Sequence, residues 1–112
     1  MQEKTPGKLY LTTPKFRENR LRVYNYTLLT FGYLQAERYD QKIEQAIEML
    51  PDRYLIHPEC RHMRTKSQMY RNIILDSHLI IYRITSQRIE VLDIVYSASS
   101  ITKIRKTRKI QI

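Results

Sequence analysis

A run of alternating apolar residues between positions 78 and 96 constrains the fold of this chain more than any other feature. Residues 78–84, HLIIYRI, and 89–96, IEVLDIVY, are separated by a turn that begins TSQ, a pattern that predicts an antiparallel hairpin. At a period of two, one face carries Ile80, Tyr82, Ile84, Leu92 and Ile94. The other face carries Leu79, Ile81, Val91 and Val95. A soluble antiparallel hairpin usually keeps one face for water, so both faces of this one need a cover.

Two helices are predicted before this hairpin. Thr13 and Pro14 fit the N-cap and the first position of a helix over 14–31, and Gly32 fits its C-terminal cap. A second helix is predicted over 34–50. The apolar stripes of the two helices are Leu21, Tyr24, Leu28 and Phe31, then Ala36, Tyr39, Ile43, Ala46, Ile47 and Leu50. Because their connection is short, the helices form an antiparallel hairpin.

Strands flank this helical hairpin on both sides. Residues 8–12 alternate like a short strand, residues 51–62 read as a loop, and a further strand begins at Met69. The order is therefore β-α-α-β-β-β, an α+β fold in which the helical hairpin packs on one face of a mostly antiparallel sheet. With 112 residues we expect one domain over 1–112, with its core at about 8–100.

Positive charge is concentrated in the C-terminal half. The net charge is +9, and it divides into +2 for residues 1–50 and +7 for residues 51–112. The tail, residues 101–112, contains Lys103, Arg105, Lys106, Arg108 and Lys109 and no acid. Such a surface attracts nucleic acid or an acidic protein. We therefore expect the tail to serve a partner, and its removal to leave the melting temperature nearly unchanged.

Composition excludes several other classes of protein. The apolar runs are too short to span a membrane, and the N-terminal residues have no signal-peptide pattern, so we expect a cytoplasmic location. His57, Cys60 and His62 have a spacing that could ligate zinc, but no second cluster accompanies them. We expect neither a metal nor a cofactor.

The helical hairpin also carries a recognisable motif. It reads NYTLLTFGYLQAERYDQKIEQAIEML and contains Tyr26-Thr27, Phe31-Gly32, Gln35-Ala36 and Tyr39. With YLTTP before it and the strands LIIYRI and IEVLDIVY after it, the chain resembles the ParE/RelE toxin superfamily, and the ParE branch more closely. The resemblance covers about residues 8 to 100.

This resemblance implies a toxin encoded beside an antitoxin that wraps it. The antitoxin of such a pair lays a helix over exposed apolar surface and often adds a strand to the sheet edge, two recurring modes of peptide recognition. The partner would then cover the second face of the predicted sheet. The residues expected to contact it are Leu79, Ile81, Arg83, Val91 and Val95, together with the five cations of the tail. The alternative is that the tail folds back over this face.

Two activities occur in the superfamily. ParE-like toxins poison DNA gyrase by binding, whereas RelE-like toxins cleave mRNA in the ribosome with basic residues on the middle strands and near the end of the last strand. Here the middle-strand positions hold Ile74 and Leu79, and Tyr96 is followed by SASS where RelE-like chains have arginines. The resemblance therefore favours a gyrase inhibitor that is not an enzyme.

Two alternatives to gyrase inhibition stay open. If the chain were an RNase, Arg71, Arg83 and Tyr96 would be the substitute catalytic residues. The other is a domain that only binds its antitoxin and represses their operon.

Overall fold

The computed structural model describes residues 8–111, and its elements follow the predicted order. The elements are β1 (Tyr10–Thr12), α1 (Pro14–Phe31), α2 (Tyr33–Glu48), α3 (Leu50–Arg53), β2 (Tyr70–Ile74), β3 (His78–Ile84), β4 (Ile89–Tyr96), α4 (Ile101–Lys106) and a 3-10 turn (Thr107–Lys109). The α+β class and the β-α-α-β-β-β order are confirmed. The sequence did not predict the short helices α3 and α4.

The four strands form one sheet in the order β1-β4-β3-β2. Strands β2, β3 and β4 are antiparallel neighbours, and β1 pairs in parallel with the first half of β4. The register shifts between Ile81 and Tyr82, which face Asp93 and Val91, so Leu92 is an extra residue in β4. Such a bulge reverses which residues of the strand face each side of the sheet.

Thr13 fixes the start of α1 against the sheet. Its hydroxyl accepts a hydrogen bond from the Phe16 amide at 3.0 Å and donates one to the Leu92 carbonyl at 2.6 Å. Its own amide donates to the Val91 carbonyl. Because Thr13 is fully buried, all three bonds are shielded from water. This residue both caps the helix and attaches it to β4.

The helical hairpin is closed by a turn at Gly32 and by one arginine. Gly32 has φ = 91°, a conformation that residues with a Cβ rarely adopt, and its amide donates to the Leu28 carbonyl. The Arg20 guanidinium binds Asp40 at 2.8 and 3.1 Å and also contacts Glu44. The hydrogen bonds with Asp40, followed by those with Glu44, raise the pKa of Arg20 despite its burial. Arg20 thereby joins α1 to α2.

The hairpin covers one face of the sheet, as predicted. We call the buried cluster between them the helix-side core. Its members are Phe16, Tyr39, Ile43, Ile47, Leu50, Ile73, Ile80, Tyr82, Ile89, Val91 and Ile94. Ile43 and Ile47 lie one turn apart on α2, so the 3.6-residue period aligns both with the sheet. Across the described residues 8–111, no helix combines the length and apolar character that crossing a bilayer requires.

Candidate partner-binding surface

The second face of the sheet is covered by the chain itself. A second buried cluster, here the second-face core, consists of Cys60, Met63, Ile81, Val95 and Ile104. Two of these residues come from the connecting loop, residues 54–69, and Ile104 comes from α4. The tail therefore folds back over this face, which was the alternative left open by the sequence. Ile81 and Val95 are not available to a partner in this arrangement, and Leu79 is partly covered.

Val91 lies on the other side of the sheet from the one that alternation predicted. It belongs to the helix-side core together with Ile94, whereas Val95 belongs to the second-face core. The extra residue Leu92 causes this difference, because strict alternation holds only within an unbulged strand. The prediction that Val91 faces a partner is therefore wrong.

The tail is a short ordered helix rather than a frayed terminus. The Ser100 hydroxyl caps α4 by accepting a hydrogen bond from the Lys103 amide, and Ile104 and Thr107 are buried. The five cations of the tail all remain exposed. The tail thus combines an apolar contact with the sheet and a basic outer surface. Because of this contact, its removal should lower the stability of the fold, contrary to the expectation from the sequence.

Arg83 attaches the tail to β3. Its guanidinium donates to the carbonyls of Arg108 at 3.3 Å and Ile110 at 3.4 Å, and it pairs with Glu90 at 2.7 Å. Burial alone would raise the pKa of Glu90, but hydrogen bonds from Arg83 and Arg88 outweigh burial and hold that pKa below its usual value. Arg83 is therefore engaged within the chain, and its predicted contact with a partner would have to replace these bonds.

The substitute RNase residues are not assembled into one site. Arg71 pairs with Tyr82 in the sheet and so lies on the opposite face from Arg83. Its guanidinium holds the connecting loop by donating to the carbonyls of Leu55 and His57. Tyr96 lies opposite His78, five residues along β3 from Arg83, which is a separation of roughly 17 Å. General acid–base chemistry needs its groups within hydrogen-bonding reach of one substrate.

Large apolar side chains are instead exposed where α1 meets α2. We call Leu28, Leu29, Phe31, Tyr33 and Leu34 the hairpin patch. Leu29 is 88% exposed, and Phe31, Tyr33 and Leu34 each exceed 60%. They follow one another across the turn at Gly32, so the patch is continuous along the chain. An exposed apolar patch of this kind indicates an interaction site.

A buried histidine lies close to the hairpin patch, and the sequence did not single it out. His78 stacks on Tyr96 with the ring centroids 4.6 Å apart, and its Nδ1 lies 2.7 Å from the Tyr39 hydroxyl. The Ser77 amide donates to that hydroxyl at 3.4 Å, and among residues 8–111 Nδ1 is the acceptor within reach of the hydroxyl proton, which favours the tautomer in which Nδ1 accepts. Burial lowers the pKa of His78. Its Nε2 is buried and has no hydrogen-bond partner among the described residues.

The loop residues with metal-ligand spacing do not form a site. Cys60 is buried in the second-face core, and its burial raises the pKa of the thiol. His57 packs edge-on against Tyr82 on the helix side of the sheet. Within residues 8–111, no group of three or more His, Cys, Asp or Glu side chains is placed to hold a metal ion.

Comparison with known families shows which family this chain belongs to. The model of the ParE toxin of type II toxin–antitoxin systems, parDE, matches residues 10–100. The chain belongs to the ParE toxin family. The match spans both helices of the hairpin and all four strands, and it ends just before α4.

A solved structure agrees with this family on the fold. A chain from a chromosomal ParDE TA system from P. aeruginosa has a TM-score of 0.66 and 16% sequence identity, and the match covers 80% of this chain and 95% of that one. A search of curated protein sequences finds no match. At this identity the structural likeness supports the fold alone.

The exposed residues of the hairpin patch are not among the partner contacts that the sequence predicted. The sequence directed attention to the second sheet face, but a run of exposed large apolar side chains lies on the helical hairpin. The spacing of Leu28 and Phe31 predicted that both are core residues of α1, and Tyr24 fitted the same stripe. The signal available in the sequence was Leu29 and Leu34, apolar residues that fall outside the predicted stripes of α1 and α2.

Proposed function

We propose that this chain inhibits DNA gyrase by binding it and that a cognate antitoxin neutralises it by covering the hairpin patch. Membership of the ParE family supports the toxin role, and the solved relative comes from a ParDE system. The exposure of the hairpin patch is the observation that carries the antitoxin interface. The toxin and antitoxin would form a hetero-oligomer in the cytoplasm.

The chemistry of the patch favours an amphipathic helix as its occupant. A helix bound in this way contributes apolar residues at positions i, i+3, i+4 and i+7, which suits a patch built around a turn between two helices. The net charge of +9 makes an acidic antitoxin favourable, because opposite charge accelerates association. We expect an acidic segment with a regularly spaced apolar stripe.

Inhibition by binding is favoured over catalysis. Arg71 and Arg83 are held by carbonyls and by Glu90 on opposite faces of the sheet, and Tyr96 is distant from Arg83. The exposed cations of the tail provide a surface for an acidic region of gyrase or for the DNA that gyrase holds. The buried members of the second-face core would act in folding, while the tail cations act in binding.

The antitoxin interface is tested with paired substitutions. Leu29→Asp and Leu34→Asp place a charge in the hairpin patch, and Ile56→Asp, on the connecting loop, places the same charge at another highly exposed apolar residue. We expect both patch variants to lose more than about tenfold in affinity for the protein encoded by the neighbouring reading frame, measured by calorimetry, because an anchor would be lost. Ile56→Asp should bind normally. Equal losses in all three would remove the patch from the interface.

The target is tested in growing cells and with purified gyrase. We expect expression of the chain to halt incorporation of labelled thymidine before that of labelled methionine, and the purified chain to inhibit supercoiling. Substitution of the five tail cations by glutamine should weaken inhibition. Site-specific cuts in ribosome-bound mRNA would instead identify an endonuclease, and normal growth would identify a domain that only binds its antitoxin.

A further inference from the structure

A groove runs along the part of β4 that β1 does not cover. Strand β1 pairs with residues 89–91 only, so within residues 8–111 the second half of β4 has an open edge. The groove has a volume of about 290 Å³ and is bounded by α1, β4 and α4. Its polar side chains are Asn19, Arg22, Tyr26, His78, Tyr96 and Lys103. We call it the edge groove.

A second cavity of about 290 Å³ lies on the other side of a shared aromatic wall. Tyr26, His78 and Tyr96 line both spaces. Phe31 and Tyr39 add further aromatic surface to the second cavity, and Gln35, Asp76 and Ser77 add polar groups. The edge groove is basic at its rim, whereas the second cavity is mainly aromatic.

Within residues 8–111, His78 holds a buried, unpaired ring nitrogen, Nε2, in the wall between the two spaces. His78 lines both spaces, whereas Tyr39, whose hydroxyl pairs with Nδ1, lines only the second cavity. With Nδ1 accepting, the neutral ring carries its proton on Nε2. This N–H has no partner in the described chain, and a buried donor without a partner costs free energy. An acceptor supplied by a ligand would remove that cost.

The charge around the groove selects an anionic acceptor. Arg22 and Lys103 stand on its two sides, Arg22 also pairing at 3.0 Å with the exposed Glu18. The nearest buried acid is Asp93, and burial raises its pKa. The Asp93 carboxylate already accepts from Asn19 at 2.7 Å and from the Ile94 amide at 2.8 Å. The donors left for a ligand are therefore cationic or neutral.

We propose that the edge groove and the second cavity together bind a nucleoside phosphate. The phosphate would lie between Arg22 and Lys103 and accept from His78 Nε2, and the base would stack on His78 and Tyr26 of the shared wall. Stacking on aromatic side chains and cationic contacts to phosphate are the usual means of binding single-stranded nucleic acid. The source is either a free mononucleotide or one nucleotide of a single strand.

Tyr96 controls access to this donor. Its ring lies over the imidazole, yet the residue is 47% exposed, and its hydroxyl makes no hydrogen bond within residues 8–111. In the proposed binding mode this side chain rotates away from the imidazole and breaks no polar contact within residues 8–111. The base of the ligand then replaces Tyr96 as the stacking partner of His78, so binding exchanges one aromatic contact for another.

Fluorescence anisotropy of the full-length chain tests the proposal with a 5′-phosphorylated, 3′-labelled thymidine tetranucleotide. We expect the double variant Arg22→Gln/Lys103→Gln to bind about tenfold more weakly, because it loses two charge-assisted contacts. Arg38→Gln/Lys66→Gln is the matched control, since it removes the same charge from exposed positions on α2 and on the connecting loop, outside the groove. Its loss should stay below about twofold. Equal losses in the two double variants would reduce the binding to general attraction and overturn the proposal.

The imidazole of His78 gives a readout that does not depend on a substitution. In ¹⁵N-labelled protein we expect the Nε2 resonance of His78 to shift on saturation with the tetranucleotide, while those of His57 and His62 stay in place. An unchanged His78 signal at saturation would overturn the proposal even if the affinities of the variants differed.

Competition distinguishes the two sources of the ligand. Displacement of the labelled probe by thymidine 5′-monophosphate supports a free nucleotide, and displacement only by unlabelled oligonucleotide supports a single strand. Inorganic phosphate that competes as well as the monophosphate would show that the base contributes nothing, and it would overturn the assignment of the second cavity.

Discussion

The two faces of the sheet are both apolar, but they are covered in different ways. Within residues 8–111, eleven buried side chains form the helix-side core and five form the second-face core. The helix side is closed by α1 and α2, which Thr13 and Arg20 attach to the sheet and to each other. The second face is closed by the connecting loop and by α4, which contributes Ile104. From this difference we infer that the helix-side core provides most of the stability of the fold. We expect the cover of the second face to open locally.

Local opening follows from how the second-face cover is attached. Short segments with few apolar contacts detach at a lower free energy than the whole domain unfolds. The tail is held by Ile104, by the cap at Ser100 and by long hydrogen bonds from Arg83. Its five exposed cations add mutual repulsion. We therefore expect the tail to open before the helical hairpin.

The largest effect is expected from a charge placed in the helix-side core. Ile47→Asp should prevent folding, because an unpaired carboxylate buried there costs more than about 4 kcal/mol, comparable with the whole stability of a small domain. Circular dichroism and thermal melting measure this. Leu29→Asp is the control, since the same charge on an exposed position of α1 should leave the melting temperature almost unchanged. A cooperative melt of Ile47→Asp would refute the position of this residue.

The sequence predicted the buried stripe of α2 because its signals are local, but the stripe predicted for α1 was wrong: Leu21, Leu28 and Phe31 are exposed, and Phe16 packs on the sheet instead. Spacing of 3.6 residues placed Ile43 and Ile47 on one stripe, and Thr13-Pro14 and Gly32 marked the ends of α1. It did not predict the second face, because contacts between Ile104 and the sheet join distant positions and have no periodic signature. The cations around Ile104 predicted a segment that serves a partner rather than one that packs on the sheet. The bulge at Leu92 was also not predicted, because no residue type at this position indicates a bulge.

The same reasoning explains what was missed at the candidate sites. His78 was read as the start of a strand, and its role depends on Tyr39, thirty-nine positions away. Arg71, Arg83 and Tyr96 were grouped by chemical type, and only the register shows that they are apart. Residue type predicts which groups a site can use, whereas pairing across the sheet decides which of them meet.

The next prediction compares one isoleucine on each face. Ile80→Ala should lower the free energy of unfolding by about 4 kcal/mol, within the range for a fully buried isoleucine in a well-packed core. Ile104→Ala should cost about 2 kcal/mol, because the cost cannot exceed the free energy that docks α4. Urea denaturation measures both.

Removing the whole tail sharpens that contrast. Deletion of residues 101–112 should also cost about 2 kcal/mol, the free energy of docking the tail, and it should expose Ile81 and Val95 to a hydrophobic dye. Hydrogen exchange in the intact chain should show faster exchange of the Ile104 amide than of amides in α2. A deletion that leaves the free energy of unfolding unchanged would show that the tail does not stabilise the fold.

A smaller effect is expected from the two helix caps. Thr13→Ala removes a cap and a buried bond to β4, so we expect a loss of about 2 kcal/mol. Ser100→Ala removes one exposed bond at the start of α4, and we expect about 0.5 kcal/mol. Thermal melts of the two variants measure the difference. Equal losses would contradict the stronger attachment of the helix side.

The smallest effect concerns acid and the ion pair beneath the tail. Because hydrogen bonds from Arg83 and Arg88 hold the pKa of Glu90 below its unfolded value of about 4.3, Glu90 contributes stability above that pH and loses it as the pH falls through the lower folded-state value. Glu90→Gln should therefore flatten the decline of the unfolding free energy between about pH 5 and pH 3. Glu48→Gln, at an exposed position on α2, is the control and should leave the decline unchanged.

The loss of Glu90 charge frees Arg83, the residue that holds the tail carbonyls, so acid should also speed hydrogen exchange in α4 before it affects α1. Simultaneous loss of protection in both helices would mean that the two faces open as one unit.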